Sequence, residues 1–277
     1  MSSRRKFLKK TTLASGIAIT ASSSAFGILS CKSEENPTVG HGDFKYKVDK
    51  NWGVQDPNSF PVEDCHEMVL DKNQRLIMTT THPKNNILIY NRSGKILDAW
   101  GTTFPGAHGL TLVEEGTEEF LFITDPNSHK VCKTTLKGEI LMTFETPREV
   151  AAYEKTNQFK PTETAVAPNG DIYIADGYGK DFIMQYDAKG NFIRHFGGHG
   201  AGAGQFDCCH GVTLDNRDPN NPTLLITSRS ANEFKRFTLS GEHIETIALP
   251  GCYICRPVIK GDLIYFAVIV TKDWKTY

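Results

Sequence analysis

A four-residue phrase returns five times along this chain with one variable position, which we call the slot. The copies are Cys65-His66-Glu67-Met68, Ala107-His108-Gly109-Leu110, Pro161-Thr162-Glu163-Thr164, Cys209-His210-Gly211-Val212 and Cys255-Arg256-Pro257-Val258. Successive slots are 42, 54, 48 and 46 residues apart. This period is typical of one four-stranded propeller blade, in which equivalent positions face a common axis. The spacing therefore predicts an all-β propeller whose slot histidines meet at its centre.

Short apolar strands and turn residues fill the stretches between the slots. Copies one and three predict strands at His66–Asp71, Arg75–Thr80, Ile87–Asn91, Lys95–Trp100, Glu163–Ala167, Ile172–Ala175, Phe182–Tyr186 and Phe192–Phe196. Helical periodicity is limited to Arg148–Thr156. Copy five supplies Ile254–Ile259 and Leu263–Val270 before Tyr277. We expect residues 44–277 to form four complete blades and part of a fifth, in a larger ring whose C-terminal portion is missing here.

The first thirty residues have the composition of an export signal. Ser3–Lys9 carries a twin-arginine pattern, and a weakly apolar stretch follows. A membrane anchor is the alternative, which the short, Ser- and Thr-rich run disfavours. Ile28–Cys31 resembles a lipoprotein cleavage box with Cys31 as the acylated residue; simple cleavage and a residual anchor are the other interpretations. After a polar tether at 31–43, we expect a protein exported by the twin-arginine translocation machinery, periplasmic or lipid-anchored to the membrane.

Net charge limits the kinds of partner expected, and the cysteine positions suggest several roles for the thiols. Without residues 1–30 the chain has 26 Lys and Arg against 32 Asp and Glu, a net charge of −6, which argues against nucleic acid as a partner. An exported protein can keep disulfides, but their pairing cannot be read from sequence. Cys65, Cys209 and Cys255 each precede a slot and are either small packing residues or thiolate ligands. Cys252 and Cys255 are also compatible with a redox pair.

The slot histidines are the candidate metal ligands. Neutral imidazole suits zinc, and a catalytic zinc keeps about three protein ligands and one open position. A lone histidine is more often structural, but three at equivalent repeat positions favour a shared ion at His108 and His210. His66 is a further ligand, a residue that hydrogen-bonds to a ligand, or a hydrogen-bond donor lining the channel.

Several motifs resemble the NHL-repeat six-bladed β-propellers, and among them the peptidyl-α-hydroxyglycine α-amidating lyases. They are the run PTETAVAP at 161–168, IYIADGY at 172–178, Gly204-Gln205-Phe206 and the slot at His210. The similarity covers roughly residues 60–250. It implies six blades and a zinc ion held by three histidines, two of them at His108 and His210 and the third beyond Tyr277.

The same resemblance implies roles for other positions. Tyr178 corresponds to the proposed base, and Arg229 to one of two active-site arginines. Main-chain carbonyls at Met68 and Leu110 correspond to calcium ligands. Where the family has its other arginine this chain has Lys84, which cannot grip a carboxylate with two parallel hydrogen bonds. Read without the resemblance, Tyr178 is a packing residue and Arg229 a solvated loop residue.

Two functions follow from these patterns. The first is a zinc-dependent lyase that breaks the C–N bond of an α-hydroxyglycine-like small molecule or peptide. The second is a non-catalytic periplasmic or surface propeller that binds a protein, peptide or glycan.

Overall fold

The computed structural model describes residues 37–271. The predicted signal at 1–30, Cys31 and the start of the predicted tether lie outside the described residues. In the described part, no helix combines the length and apolar character needed to cross a membrane. Two strands, β1 (Thr38–His41) and β2 (Phe44–Lys47), pair as an antiparallel hairpin. Strand β1 falls within the tether predicted for 31–43, and a separate compact unit begins at Asn51.

From Asn51 onward the described chain forms four four-stranded antiparallel sheets and one two-stranded sheet. The strands are β3 (Met68–Leu70), β4 (Leu76–Thr79), β5 (Ile87–Tyr90) and β6 (Ile96–Trp100); β7 (Leu110–Glu115), β8 (Glu118–Asp125), β9 (Lys130–Thr135) and β10 (Ile140–Phe144); β11 (Glu163–Val166), β12 (Ile172–Ala175), β13 (Phe182–Tyr186) and β14 (Phe192–Gly197); β15 (Val212–Asp215), β16 (Thr223–Ser228), β17 (Glu233–Thr238) and β18 (His243–Ala248); and β19 (Cys252–Lys260) with β20 (Leu263–Thr271). Within each sheet the strands pair in chain order. The described residues thus contain four complete blades and two strands of a fifth.

The helical expectation for Arg148–Thr156 is wrong. That stretch consists of turns and bends, and a 3₁₀ turn follows at Thr156–Gln158. The N–H of Tyr153 donates to the Val150 carbonyl three residues back, and Val150 is buried. Because burial fixes Val150 and the bonds span three residues, the stretch does not continue as an α-helix.

Turn residues set the hairpins. Asn91 Oδ1 accepts the N–H groups of Ser93 and Lys95 in blade one, and Asp187 Oδ1 accepts those of Lys189 and Asn191 in blade three. Such side-chain caps replace backbone partners that the turn would otherwise leave unpaired. The outermost pair of strands in each four-stranded sheet shows a register shift, as expected where a blade twists.

Apolar layers between neighbouring blades form the core. One layer joins blades one and two around Ile89 and Leu121, and the next joins blades two and three around Phe122 and Ile174. A third layer joins blades three and four. Face-to-face packing of this kind turns the inner strand of each blade toward a shared axis. Because β3, β7 and β15 begin two residues after a slot histidine, all three histidines lie at that axis.

A candidate metal centre on the propeller axis

The structure brings the three slot histidines together. One ring nitrogen from each of His66, His108 and His210 lies within 4.8 Å of the others. Ring centroids are 3.5 Å apart for His66 and His108, and 4.9 Å apart for His108 and His210. His108 and His210 are buried, whereas His66 is exposed. The described chain thus supplies three imidazoles by itself, with His66 in the third place.

Threonine hydroxyls link successive slot loops across the blades. Thr79 Oγ1 donates to the His108 carbonyl, Thr124 Oγ1 to the Thr162 carbonyl and Thr227 Oγ1 to the Cys255 carbonyl. These threonines are the last or the last but one residue of the second strand of blades one, two and four. The equivalent residue of blade three is Ala175, which has no hydroxyl.

The slot residue itself makes the link in blade three. Thr162 Oγ1 lies 3.4 Å from the Cys209 carbonyl of the next blade and 3.3 Å from the Ala175 carbonyl. Thr162 thus makes the link to the next blade that Ala175, without a hydroxyl, cannot make.

Hydrogen bonds prepare the imidazoles for a metal. His108 Nδ1 lies 2.8 Å from the Thr162 carbonyl, which can only accept, so this nitrogen carries the proton and Nε2 keeps its lone pair. His210 Nδ1 is buried without a hydrogen-bond partner. A buried nitrogen of this kind is costly unless something absent from the structure satisfies it. The donor set and this unsatisfied nitrogen fit a zinc ion.

The electrostatics favour the metal-binding form of the rings. Burial lowers the pKa of His108 to about 3, with a further contribution from His66. Burial and the charge of Arg229 hold the pKa of His210 well below its usual value. Desolvation of the ring beside the other histidines also lowers the pKa of His66, although the residue as a whole is exposed. All three imidazoles are therefore neutral at neutral pH, as metal ligation requires.

Tyr178 joins the histidines to a fixed cation. Its hydroxyl oxygen lies 3.2 Å from His108 Nε2, 3.0 Å from His210 Nε2 and 3.3 Å from Arg229 Nη1. Burial raises the pKa of Tyr178, and Arg229 opposes that rise. Arg229 is buried and donates through Nε to the Ile254 carbonyl. Neither residue is thus a plain packing or solvated loop residue.

A cavity of about 640 Å³ opens above the histidines, and His66, His108 and Tyr178 contribute to its lining. Lys84 is not among the described residues that line it; it lies in an exposed turn, where its N–H donates to His82 Nδ1. Lys160 does line it, two residues before a slot.

Sequence reasoning missed Lys160. Its backbone N–H donates to Asp176 Oδ1, and its carbonyl accepts the N–H of Tyr178. The signal was its position, because Asp64 and Gly106 also stand two residues before a slot and line the same cavity.

No cysteine of the described chain belongs to the group of three histidines, although Cys65 lines the cavity beside them. Six are free thiols in the described chain. Cys209 is buried in the layer between blades three and four, as its packing interpretation requires. Burial raises the pKa of Cys208 to about 11 and also raises that of Cys255, which disfavours thiolate ligation. Cys252 and Cys255 form no disulfide.

A second level of the axis combines the residue after the slot in copies one and three, Glu67 and Glu163, with the slot residue of copy five, Arg256. Arg256 Nη1 is 2.6 Å from Glu67 Oε1 and 3.3 Å from Glu163 Oε1, and it donates to the Leu110 carbonyl at 3.1 Å. We call Glu67, Glu163 and Arg256 the acid–arginine level. The Leu110 carbonyl, an expected calcium ligand, is therefore bound to a side chain of the protein. Met68, the other expected ligand, pairs with Met78 in the β3–β4 ladder.

Comparison with known proteins identifies the fold. A family model described as a 6-bladed beta-propeller matches residues 155–277. The described residues form a β-propeller, and the chain is similar in sequence to proteins with NHL repeats. It is 36% identical over 108 residues to a probable peptidyl-alpha-hydroxyglycine alpha-amidating lyase of Caenorhabditis elegans, covering 39% of this chain and 30% of that protein. It is 31% identical over 161 residues to human NHL repeat-containing protein 3, covering 53% and 46%.

The propeller thus spans less than half the length of these two relatives. Among solved structures, a selenomethionine-substituted virginiamycin B lyase from Staphylococcus aureus superposes with a TM-score of 0.53 at 14% identity, covering 82% of this chain and 73% of that one. At that identity the likeness concerns the fold alone. The proteins similar to this chain in sequence include amidating lyases.

Proposed function

We propose that this propeller is a metal-dependent lyase that cleaves the C–N bond of an α-hydroxyglycine-like substrate. One observation carries the proposal: the hydroxyl of Tyr178 lies within 3.3 Å of His108, His210 and the Arg229 guanidinium. A base, a fixed cation and the donors for a metal thus surround one point beside a cavity. The similarity to amidating lyases supports the same reaction class.

His66, His108 and His210 would hold the ion. A bound zinc would supply Lewis acidity, polarising the reacting oxygen and stabilising negative charge beside it. His108 is held in the required tautomer by the Thr162 carbonyl. Arg229 lies next to the phenol and favours its ionised form.

The proton and electron balance is closed. Tyr178 accepts the proton of the substrate hydroxyl, and the electron pair of that O–H bond forms the carbonyl of glyoxylate. The C–N bond breaks with its electrons going to nitrogen, which takes up a proton and leaves as an amide. No proton is gained or lost overall.

Two cations are suited to bind the substrate carboxylate. Arg229 is buried beside Tyr178 and contacts the reacting group. Lys160 lines the cavity wall, where a flexible ammonium can meet a carboxylate entering from solvent. We assign the carboxylate to Arg229, with Lys160 in the assisting role first given to Lys84.

The proposal extends to location. The twin-arginine pattern and Cys31 favour an exported protein that acts in the periplasm or as a membrane-anchored lipoprotein. Radiolabelled palmitate should enter the wild-type protein and not Cys31→Ala, and labelling of both would reject Cys31 as the acylated residue.

The test of function pairs metal content with turnover. The full chain should bind about one zinc and release glyoxylate from N-benzoyl-α-hydroxyglycine. His210→Ala should lose both, whereas His243→Ala, a half-buried histidine off the slots, should lose neither. Tyr178→Phe should keep the zinc and lose roughly 10²–10⁴-fold in rate, the usual worth of a positioned base.

The contrary outcome is equally defined. A folded protein without zinc, or one with zinc whose Tyr178→Phe variant turns over unchanged, would reject this lyase mechanism. The propeller would then be assigned to binding a protein, peptide or glycan.

A further inference from the structure

The acid–arginine level gathers groups from four copies of the phrase and one from the residue that follows the remaining copy. Arg256 of copy five meets Glu67 of copy one, the Leu110 carbonyl of copy two and Glu163 of copy three. Its Nε lies 3.4 Å from Oγ1 of Thr213, the residue directly after copy four. A positively charged centre surrounded by oxygen atoms from separate blades is the arrangement usually provided by a hard metal ion.

One guanidinium serves both acids at this level. Arg256 Nη1 lies 2.6 Å from Glu67 Oε1 and 3.3 Å from Glu163 Oε1, so a single positive charge faces two carboxyl groups. Burial raises the pKa of Glu163, which favours the protonated form of that acid.

This arrangement does not fit calcium. A calcium ion takes six to eight oxygen ligands at about 2.3–2.6 Å. Arg256 Nη1 already binds the Leu110 carbonyl and Glu67 Oε1, so those oxygens are directed at a guanidinium. An ion placed among them would also lie against a fixed positive charge.

Glycines in the alternate copies make room for the large side chains. A Cβ added at Gly211 would lie 2.6 Å from Arg256 Cα and 3.0 Å from Arg256 Cβ. A Cβ added at Gly109 would lie 2.8 Å from Glu163 Oε1. The residue after the slot is thus glutamate in copies one and three, and glycine, which has no side chain, in copies two and four.

We propose that Arg256 is a built-in cation, which joins the inner strands of the propeller in place of a bound calcium ion. The inference does not depend on the lyase proposal, because it concerns oxygen ligands and charge below the histidines. It predicts that this level needs no metal from solution.

Calcium itself is the probe. Calorimetric titration and thermal unfolding of the wild-type full chain should show no calcium binding, and neither millimolar calcium nor EGTA should move the melting temperature. Arg256→Ser leaves Glu67, Glu163 and the Leu110 carbonyl around an open space. This variant should gain calcium-dependent stabilisation that EGTA reverses, about a 100-fold fall in the unfolding constant at 100 times Kd.

Matched controls separate this site from the histidines. The gain should vanish in Arg256→Ser combined with Glu67→Gln, and it should persist when His210→Ala is added. A wild-type protein that binds one calcium ion in a manner weakened by Glu67→Gln would overturn the proposal. So would a folded Arg256→Ser that ignores calcium; if that variant does not fold, the wild-type titration decides alone.

Discussion

The histidine group and the acid–arginine level are neighbours in the same repeated phrase, yet they differ in charge and in how their polar atoms are satisfied. The first gathers neutral rings and leaves His210 Nδ1 without a partner. The second gathers charged and acidic groups and neutralises them with Arg256. Both use the same repeated backbone, which brings side chains from three of the copies to the axis at each level. Residue type at each copy therefore decides whether a level takes a cation from solution or carries its own.

Removing the internal cation should have the largest effect on stability. Arg256→Met leaves two buried carboxyl groups without a counter-charge, which should lower the free energy of unfolding by about 3–5 kcal/mol at neutral pH. Burial then raises the folded-state pKa of both acids above the unfolded value, so the protonated form is the stable one. The deficit should be small near pH 4–5 and grow as pH rises through the raised pKa values.

The control for this variant is Arg236→Met, which removes an arginine from its pairs with Asp215 and the exposed Glu245. Denaturant unfolding at several pH values measures both variants. An Arg256→Met deficit that does not change between pH 5 and pH 8 would contradict the charge assignment.

Adding zinc should stabilise the histidine group and leave the other level unaffected. At 100 times Kd the gain is about 2.7 kcal/mol, because only the folded state assembles the three rings. Thermal unfolding with and without zinc should show the gain in wild type and in His243→Ala. The same gain in His210→Ala would show that the ion binds elsewhere.

Crowding the space around Arg256 should cost less. Gly211→Ala places a methyl group 2.6 Å from Arg256 Cα, and the resulting backbone shift should cost about 1–3 kcal/mol. Gly204→Ala is the matched control, since nothing lies within 4 Å of the added carbon there. Equal stability losses in the two variants would mean that Arg256 is not tightly held.

The smallest effect is expected at Glu163. Glutamine has the shape of the protonated acid and still donates to Glu67, so Glu163→Gln should change stability by about 0.5 kcal/mol or less. The free energy of unfolding of this variant should also depend less on pH than that of the wild type. A loss as large as that of Arg256→Met would show that Glu163 is ionised.

Sequence patterns predicted the strands and the histidine group for the same reason. Both depend on local periodicity, and the strand predicted at Ile172–Ala175 is the strand observed. The Arg148–Thr156 expectation failed because burial of Val150, a tertiary effect, controls that stretch. The acid–arginine level escaped prediction because Glu67 and Arg256 are far apart in the chain, and their protonation depends on burial that no local pattern reports.

The threonine links limit how many ligands such a ring can evolve. In blade three the slot must join the blades because Ala175 cannot, so this position is not free to change into a histidine. With threonine in place of Ala175, the hydroxyl at the strand end would make the link to the next blade, as it does in the other three complete blades. A duplicated ancestor could therefore gain or lose a ligand through two coupled codon changes without disturbing the apolar layers.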